Sequence, residues 1–137
     1  SYERSEQKWR EILSSPDQTQ SVHVAEVEGK VVGFASSGPE REHDPVYHGE
    51  LYAIYVLDSH QRQGVGRNLV RVTARQLWEC GFRSMLVWVL AENPSRMFYE
   101  RLGGRYLREK RITIGGVDLP EVAYGWPDIR LLTQEGG

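Results

Sequence analysis

The chain has 137 residues, 39% of them hydrophobic and 26% charged, with a formal net charge of -2. That is enough for one domain with its own apolar core, and a near-neutral balance without a basic stripe argues against a nucleic-acid partner. No apolar run approaches the roughly 20 residues that a membrane-spanning helix needs. A single cysteine, Cys80, leaves no internal disulfide and no cysteine-based metal site. With no signal-peptide pattern, that thiol fits a cytoplasmic protein.

Trp9, Ile12 and Leu13 recur at helical spacing, so residues 3–13 read as an amphipathic helix. Ser14, Ser15, Pro16 and Asp17 stop it. A Val-rich strand over 21–27 and a second over 30–36 flank Glu28-Gly29, which predicts a hairpin. A polar loop over 38–49 follows. Residues 51–57 are then almost continuously apolar, as suits a strand buried on both faces.

After the glycine-rich segment 61–67, the pairs Leu69/Val70, Thr73/Ala74 and Leu77/Trp78 mark a helix over 67–80, with Gly81 just past its end. Met85–Leu90 reads as another buried strand. Asn93-Pro94 looks like an N-cap and first helical position, and the helix runs through Phe98, Tyr99 and Leu102 to Gly103. Strands over 105–114 and 117–126 close the chain around Gly115-Gly116. The centre is thus a strand–helix–strand unit, expected to be right-handed with parallel strands. Ligands of such units sit beyond the end of the first strand.

That position holds Gln61-Arg62-Gln63-Gly64-Val65-Gly66-Arg67. A strand-to-helix turn aims unpaired backbone N–H groups at one point, and the helix dipole adds positive potential. Gly64 and Gly66 permit close approach, while Arg62 and Arg67 supply charge, so the segment asks for a polyanion such as a pyrophosphate. It lacks the Gly-Lys-Ser/Thr of a nucleoside triphosphate loop and the third glycine of a dinucleotide fingerprint.

Gln-x-x-Gly-x-Gly after a buried strand resembles the pyrophosphate loop of the GCN5-related N-acetyltransferase (GNAT) superfamily. Glu50 to Val56 resembles that family's fourth strand, Leu86 to Val89 its fifth, and Asn93 to Gly103 its helix ending in Phe-Tyr-x-x-x-Gly. The resemblance runs from about 22 to 126. It implies an α/β (α+β type, three-layer) fold with a mixed, mostly antiparallel sheet, a central parallel βαβ unit and flanking helices. It also implies a single acetyltransferase domain over 1–137 that lacks the family's first strand and helix.

The resemblance further implies acetyl-CoA as co-substrate and an amine as acceptor, with no metal. The backbone of Ile54, Tyr55 and Val56 would hold the pantetheine arm as an added strand. Amides of Gln61, Arg62, Gln63, Gly64, Val65, Gly66 and Arg67 would hold the pyrophosphate, and Asn93 would touch the arm. Glu50 matches the position of a carboxylate base and Tyr99 that of a general acid toward the sulfur, with a backbone N–H near Val56 as oxyanion donor.

Each residue also has a plain structural reading. Glu50 is a strand-end carboxylate, Tyr99 a core aromatic, Asn93 an N-cap and Cys80 a packing residue. His48-x-Glu50 offers only two metal ligands. The acceptor is expected to be a small amine, a peptide N-terminus or a lysine. The rival functions are a non-catalytic CoA-binding module and a nucleotide-binding regulatory domain. The apolar residues of the last hairpin make a homodimer an expectation, as family members often pair.

Overall fold

The protein is described by a computed structural model that covers residues 7–14 and 19–134. Seven strands form one sheet: β1 (Gln7–Ser14), β2 (Ser21–Val27), β3 (Lys30–Pro39), β4 (Gly49–Val56), β5 (Met85–Leu90), β6 (Arg105–Ile114) and β7 (Val117–Trp126). Their order is β1-β2-β3-β4-β5-β7-β6. Every neighbouring pair is antiparallel except β4 and β5. The helices are α1 (Val65–Glu79), α2 (Ser95–Arg101) and α3 (Arg130–Thr133). The expected mixed sheet with a parallel βαβ centre is the fold observed.

The turns follow from backbone chemistry. Glu28 and Gly29 both take positive φ (52° and 77°), as do Gly115 and Gly116 (57° and 80°). Two consecutive left-handed residues match the twist of the strands they join. Gly81 (φ 95°) and Gly103 (φ 88°) stand just beyond α1 and α2, where a left-handed residue lets the chain leave a helix.

The core lies where α1, Tyr99 of α2 and Leu132 of α3 meet the sheet. Leu69, Leu77, Met85 and Ile129 are fully buried there, each contributing about 1.5–3 kcal/mol by leaving water.

Two features differ from the sequence reading. The helix expected at 3–13 is replaced, over the described residues 7–14, by strand β1 at the sheet edge; residues 3–6 lie outside the described residues. Its ladder to β2 shifts register between Glu11 and Leu13. With Ile12 as the extra residue, a strand can carry apolar residues at positions 9, 12 and 13, the spacing that one turn of helix also shows. Trp9 is tied down by the Arg71 guanidinium, 4.5 Å from its ring centroid. The second difference is α3, which the sequence reading did not contain. Ile129 and Leu132 anchor it, and Arg75 of α1 donates to the Thr133 carbonyl (3.1 Å).

The site is set by how β4 and β5 part. They pair only at Gly49↔Met85, Glu50↔Leu86 and Leu51↔Val87. At the same level the β3–β4 ladder shifts from Ser37↔Leu51 to Ser36↔Ala53, leaving Tyr52 as an extra residue. A bulge bends and twists its strand, and beyond it β4 diverges from β5.

Candidate active site

A cavity of about 280 Å³ fills the divergence. Ile54 of β4, Trp88 of β5, Asn93 and Tyr99 near α2, Ile112 of β6 and Glu121 of β7 are among its walls. The structure therefore brings together Ile54, Asn93 and Tyr99 from the expected set. Tyr55 and Val56 lie further along β4, and Tyr55 is 52% exposed.

Tyr99 is buried at 4% exposure, with the rings of Phe98, Tyr124 and Trp126 at centroid distances of 5.4, 6.4 and 6.3 Å. Burial among these rings pushes its phenol pKa up to about 12, because the anion would lose its hydration. Gly104 makes room for this arrangement, since a Cβ there would stand 2.8 Å from the Trp126 ring. Asn93 Oδ1 accepts from the backbone N–H of Ser95, the first residue of α2, at 2.8 Å, while Pro94 takes the N-cap position, and Asn93 also borders the cavity.

The glycine-rich loop sits at the far end of β4. Gly64 is the N-cap of α1 with φ 83°; among the described residues no side chain caps the helix, and its first turn contains no acid. The first N–H groups of α1 are thus left to an outside acceptor. Arg62 also takes positive φ (64°), and alternating backbone hands of this kind form a concave set of N–H donors. Arg62 and Arg67 are exposed.

Side-chain amides brace the loop. Gln61 donates to the Val56 carbonyl and Gln63 to the Ser59 carbonyl, while Gln7 of β1 donates to the Gln63 carbonyl (3.1, 3.2 and 2.7 Å). Gly66 lies against Phe98 of α2, which a Cβ would meet at 3.4 Å. The loop, the end of β4 and the start of α2 therefore converge, and the residues present fit a pyrophosphate.

Glu50 is placed differently from Tyr99. It is 2% exposed, and it is committed to Arg41, which donates from Nη2 to Oε2 (2.8 Å), from Nε to Oε1 (3.4 Å) and from its backbone N–H to Oε1 (3.2 Å). The Arg41 guanidinium also covers the Tyr52 ring at 4.2 Å. The carboxylate on the cavity wall is instead Glu121. Neither Glu121 nor Trp88 stood out in the sequence, because they meet only through the insertion of β7 between β5 and β6. Their one advance signal was an aromatic in a run that read as buried strand and an acid within the last hairpin strand.

The family model for the acetyltransferase (GNAT) family matches residues 1–104. The chain belongs to this family. It is 45% identical over 132 residues to YuaI of Bacillus subtilis, named as an uncharacterized N-acetyltransferase; the match covers 96% of this chain and 73% of YuaI. It is 32% identical to the phosphinothricin N-acetyltransferase of Streptomyces viridochromogenes, over 71% of this chain and 54% of that enzyme. It is 31% identical to the L-amino acid N-acyltransferase MnaT of Escherichia coli, over 60% of this chain and 48% of MnaT. This GNAT chain thus spans about half the length of those last two relatives.

Among solved structures, YncA of Salmonella typhimurium, described as an acetyltransferase with its cofactor acetyl-CoA, superposes with a TM-score of 0.64 at 25% identity. The match covers 78% of this chain and 64% of YncA. A GNAT-family protein from Desulfovibrio desulfuricans shares the fold over 90% of this chain and 99% of its own, with a TM-score of 0.72 at 17% identity.

Proposed function

We propose that this GNAT domain transfers an acetyl group from acetyl-CoA to a primary amine. The observation that carries the reading is the diverging pair β4 and β5, with Tyr99 on the wall of the gap and an uncapped, glycine-led helix at its end. Backbone amides at 61–67 and the arginines Arg62 and Arg67 hold the pyrophosphate. The free edge of β4 at Ile54, Tyr55 and Val56 takes the pantetheine arm as an added strand, and Asn93 borders it. Acetyl-CoA supplies a thioester carbonyl open to direct attack by the amine.

The raised pKa of Tyr99 defines its part. A phenol at about 12 holds its proton against a thiolate of pKa near 8.5, so complete transfer is uphill by about 3.5 pH units. Tyr99 therefore acts as an O–H donor that stabilises the departing sulfur, and the thiolate is protonated afterwards from solvent.

The acceptor is mostly an ammonium at pH 7, since such amines have pKa near 10.4, and it needs a proton acceptor. Glu50 serves only if Arg41 releases it. That commitment is the one observation favouring the second reading, a non-catalytic CoA-binding module.

The test is thermal unfolding with saturating acetyl-CoA beside ATP and NAD, followed by thiol release with an amine panel. The panel includes phosphinothricin and L-methionine sulfone, for which relatives are named. A shift with acetyl-CoA alone followed by thiol release supports the transferase. A shift without turnover of any amine favours the binding module, and no shift sinks both.

A further inference from the structure

The cavity wall opposite Tyr99's helix carries a constellation that acetyl transfer has not yet used. Across β5, β7 and β6 the register sets Leu90 opposite Glu121 and Glu121 opposite Lys110. One alternation along, Trp88 faces Ala123 and Ala123 faces Arg108. Side chains two apart on a strand share a face, so Trp88, Glu121, Lys110 and Arg108 form one surface. The methyl of Ala123 leaves room beside the Trp88 ring.

The Lys110 ammonium takes that room. Its Nζ lies 4.1 Å from the Trp88 ring centroid and 3.5 Å from the Glu121 carboxylate. Lys110 has a second partner, Glu42, in the loop before β4. Arg108 also lies over this ring, at 5.4 Å, and is held by Asp44 at 2.9 Å. A primary ammonium is thus already seated between an aromatic face and a carboxylate at the cavity wall, and it belongs to the chain itself.

We infer that this is the acceptor subsite: the substrate's primary ammonium docks on Glu121 against Trp88 in place of Lys110, which keeps its hydrogen bond to Glu42. The inference rests on the acetyl-transfer reading. The Glu121 side chain is 14% exposed and that of Glu42 46%. An ion pair is worth more in the less hydrated position, so a well-fitting amine prefers Glu121. Because Glu42 keeps Lys110 paired, the exchange strands no charge.

Glu121 is also free of the arginine clamp that ties up Glu50. Ile112 offers an apolar wall for a short carbon stem. The subsite therefore selects a primary ammonium on a compact apolar stem. Attack follows loss of one ammonium proton to solvent water; as the C–N bond forms the C–S bond breaks, nitrogen releases its second proton to solvent, and the departing thiolate is protonated from it. The neutral amide product then loses both the carboxylate and the ring contact. Lys110 then returns, and product release is built into the exchange.

The experiment is a calorimetric titration of the CoA-loaded protein with n-butylammonium chloride, with n-butanol as the uncharged match. Wild type is compared with Lys110→Met, Glu121→Gln and Glu121→Asp. Lys110→Met is expected to bind n-butylammonium about five- to tenfold more tightly, the scale of a partly buried cation–π contact. Glu121→Gln is expected to bind it about tenfold more weakly, close to 1.4 kcal/mol, with Glu121→Asp between it and wild type. None of the three substitutions should change binding of n-butanol. Lys110→Met binding n-butylammonium no better than wild type, or Glu121→Gln binding it as well as wild type, overturns the inference. A retained unfolding shift with CoA shows that each variant is folded and loaded. Absence of that shift in wild type would overturn the acetyl-transfer reading instead.

Discussion

Gly64 and Gly66 stand two residues apart in one loop, and the structure gives them opposite responses to the same substitution. Gly64 has φ 83° with open space where a Cβ would stand, whereas Gly66 is the second residue of α1 and its Cβ would rest 3.4 Å from Phe98. Alanine at Gly64 strains the backbone by about 1–2 kcal/mol. Alanine at Gly66 removes a helical glycine and gains up to about 1 kcal/mol, which raises Tm by about 2–4 °C in a domain of this size. The same methyl stands beside the N–H groups expected to hold the pyrophosphate, and a tenfold loss of acetyl-CoA affinity should follow. At a ligand concentration 100 times the wild-type Kd, stabilisation then falls from about 2.7 to about 1.4 kcal/mol. Differential scanning fluorimetry with and without acetyl-CoA reads both effects. Gly66→Ala should melt higher than wild type alone and gain about half the wild-type shift with ligand. A full ligand shift would show that the phosphates do not pass over Gly66, and a lower Tm without ligand would refute the packing argument.

Tyr99→Phe should lower kcat by about 10²-fold, the scale of one lost donor to developing charge, while the unfolding shift with acetyl-CoA is retained. Tyr99 also predicts alkaline behaviour. Its folded pKa of about 12 lies above the ordinary 10.0, so the folded state holds a proton that the unfolded chain has lost. Stability should fall between pH 10 and 12 by about 3 kcal/mol in total, and Tyr99→Phe should flatten that part of a denaturant-midpoint profile. Arg41→Met leaves Glu50 buried without its guanidinium and should cost about 1–3 kcal/mol in urea unfolding; a neutral result would mean the pair is dispensable. Gly49→Ala places a Cβ 2.8 Å from the Ser84 carbonyl, where β4 meets β5, and should cost about 1–3 kcal/mol together with acetyl-CoA binding, read by the same fluorimetry. His23 is buried and its pKa is lowered from 6.5, chiefly by burial and against the pull of Glu11. The unfolded chain therefore binds more protons below 6.5, so stability should fall on acidification, less steeply in His23→Gln.

Much of the fold was legible because local chemistry and tertiary structure agree. Glu28-Gly29 and Gly115-Gly116 demand left-handed turns, and the strands they join begin and end where the apolar patterns do. The two-wide stripe of α1 is the stripe that the core buries. β1 was not legible because an edge strand with a bulge carries apolar spacing that one turn of helix also carries, and only pairing with β2 decides between them. Tyr99, Asn93 and Ile54 could be placed at a common site because the resemblance to the GNAT family implied it, through motifs on consecutive elements around the βαβ unit. Glu121 and Lys110 could not, because β7 enters the sheet between β5 and β6, and no local pattern encodes that order.

The two carboxylates show why strand position does not by itself give a chemical role. Glu50 stands where the resemblance expects a base, and it is the more deeply buried of the two. Three donor contacts from Arg41 hold its carboxylate. Drawing it into proton transfer first requires breaking that set of three contacts. Among the described residues Glu121 faces one long ion-pair contact, 3.5 Å from a lysine already hydrogen-bonded to Glu42. A group exchanges partners easily when its present partner has an alternative, and Lys110 does. Glu50 therefore orders the loop before β4 through Arg41, and the adjustable charge of the cavity belongs to Glu121.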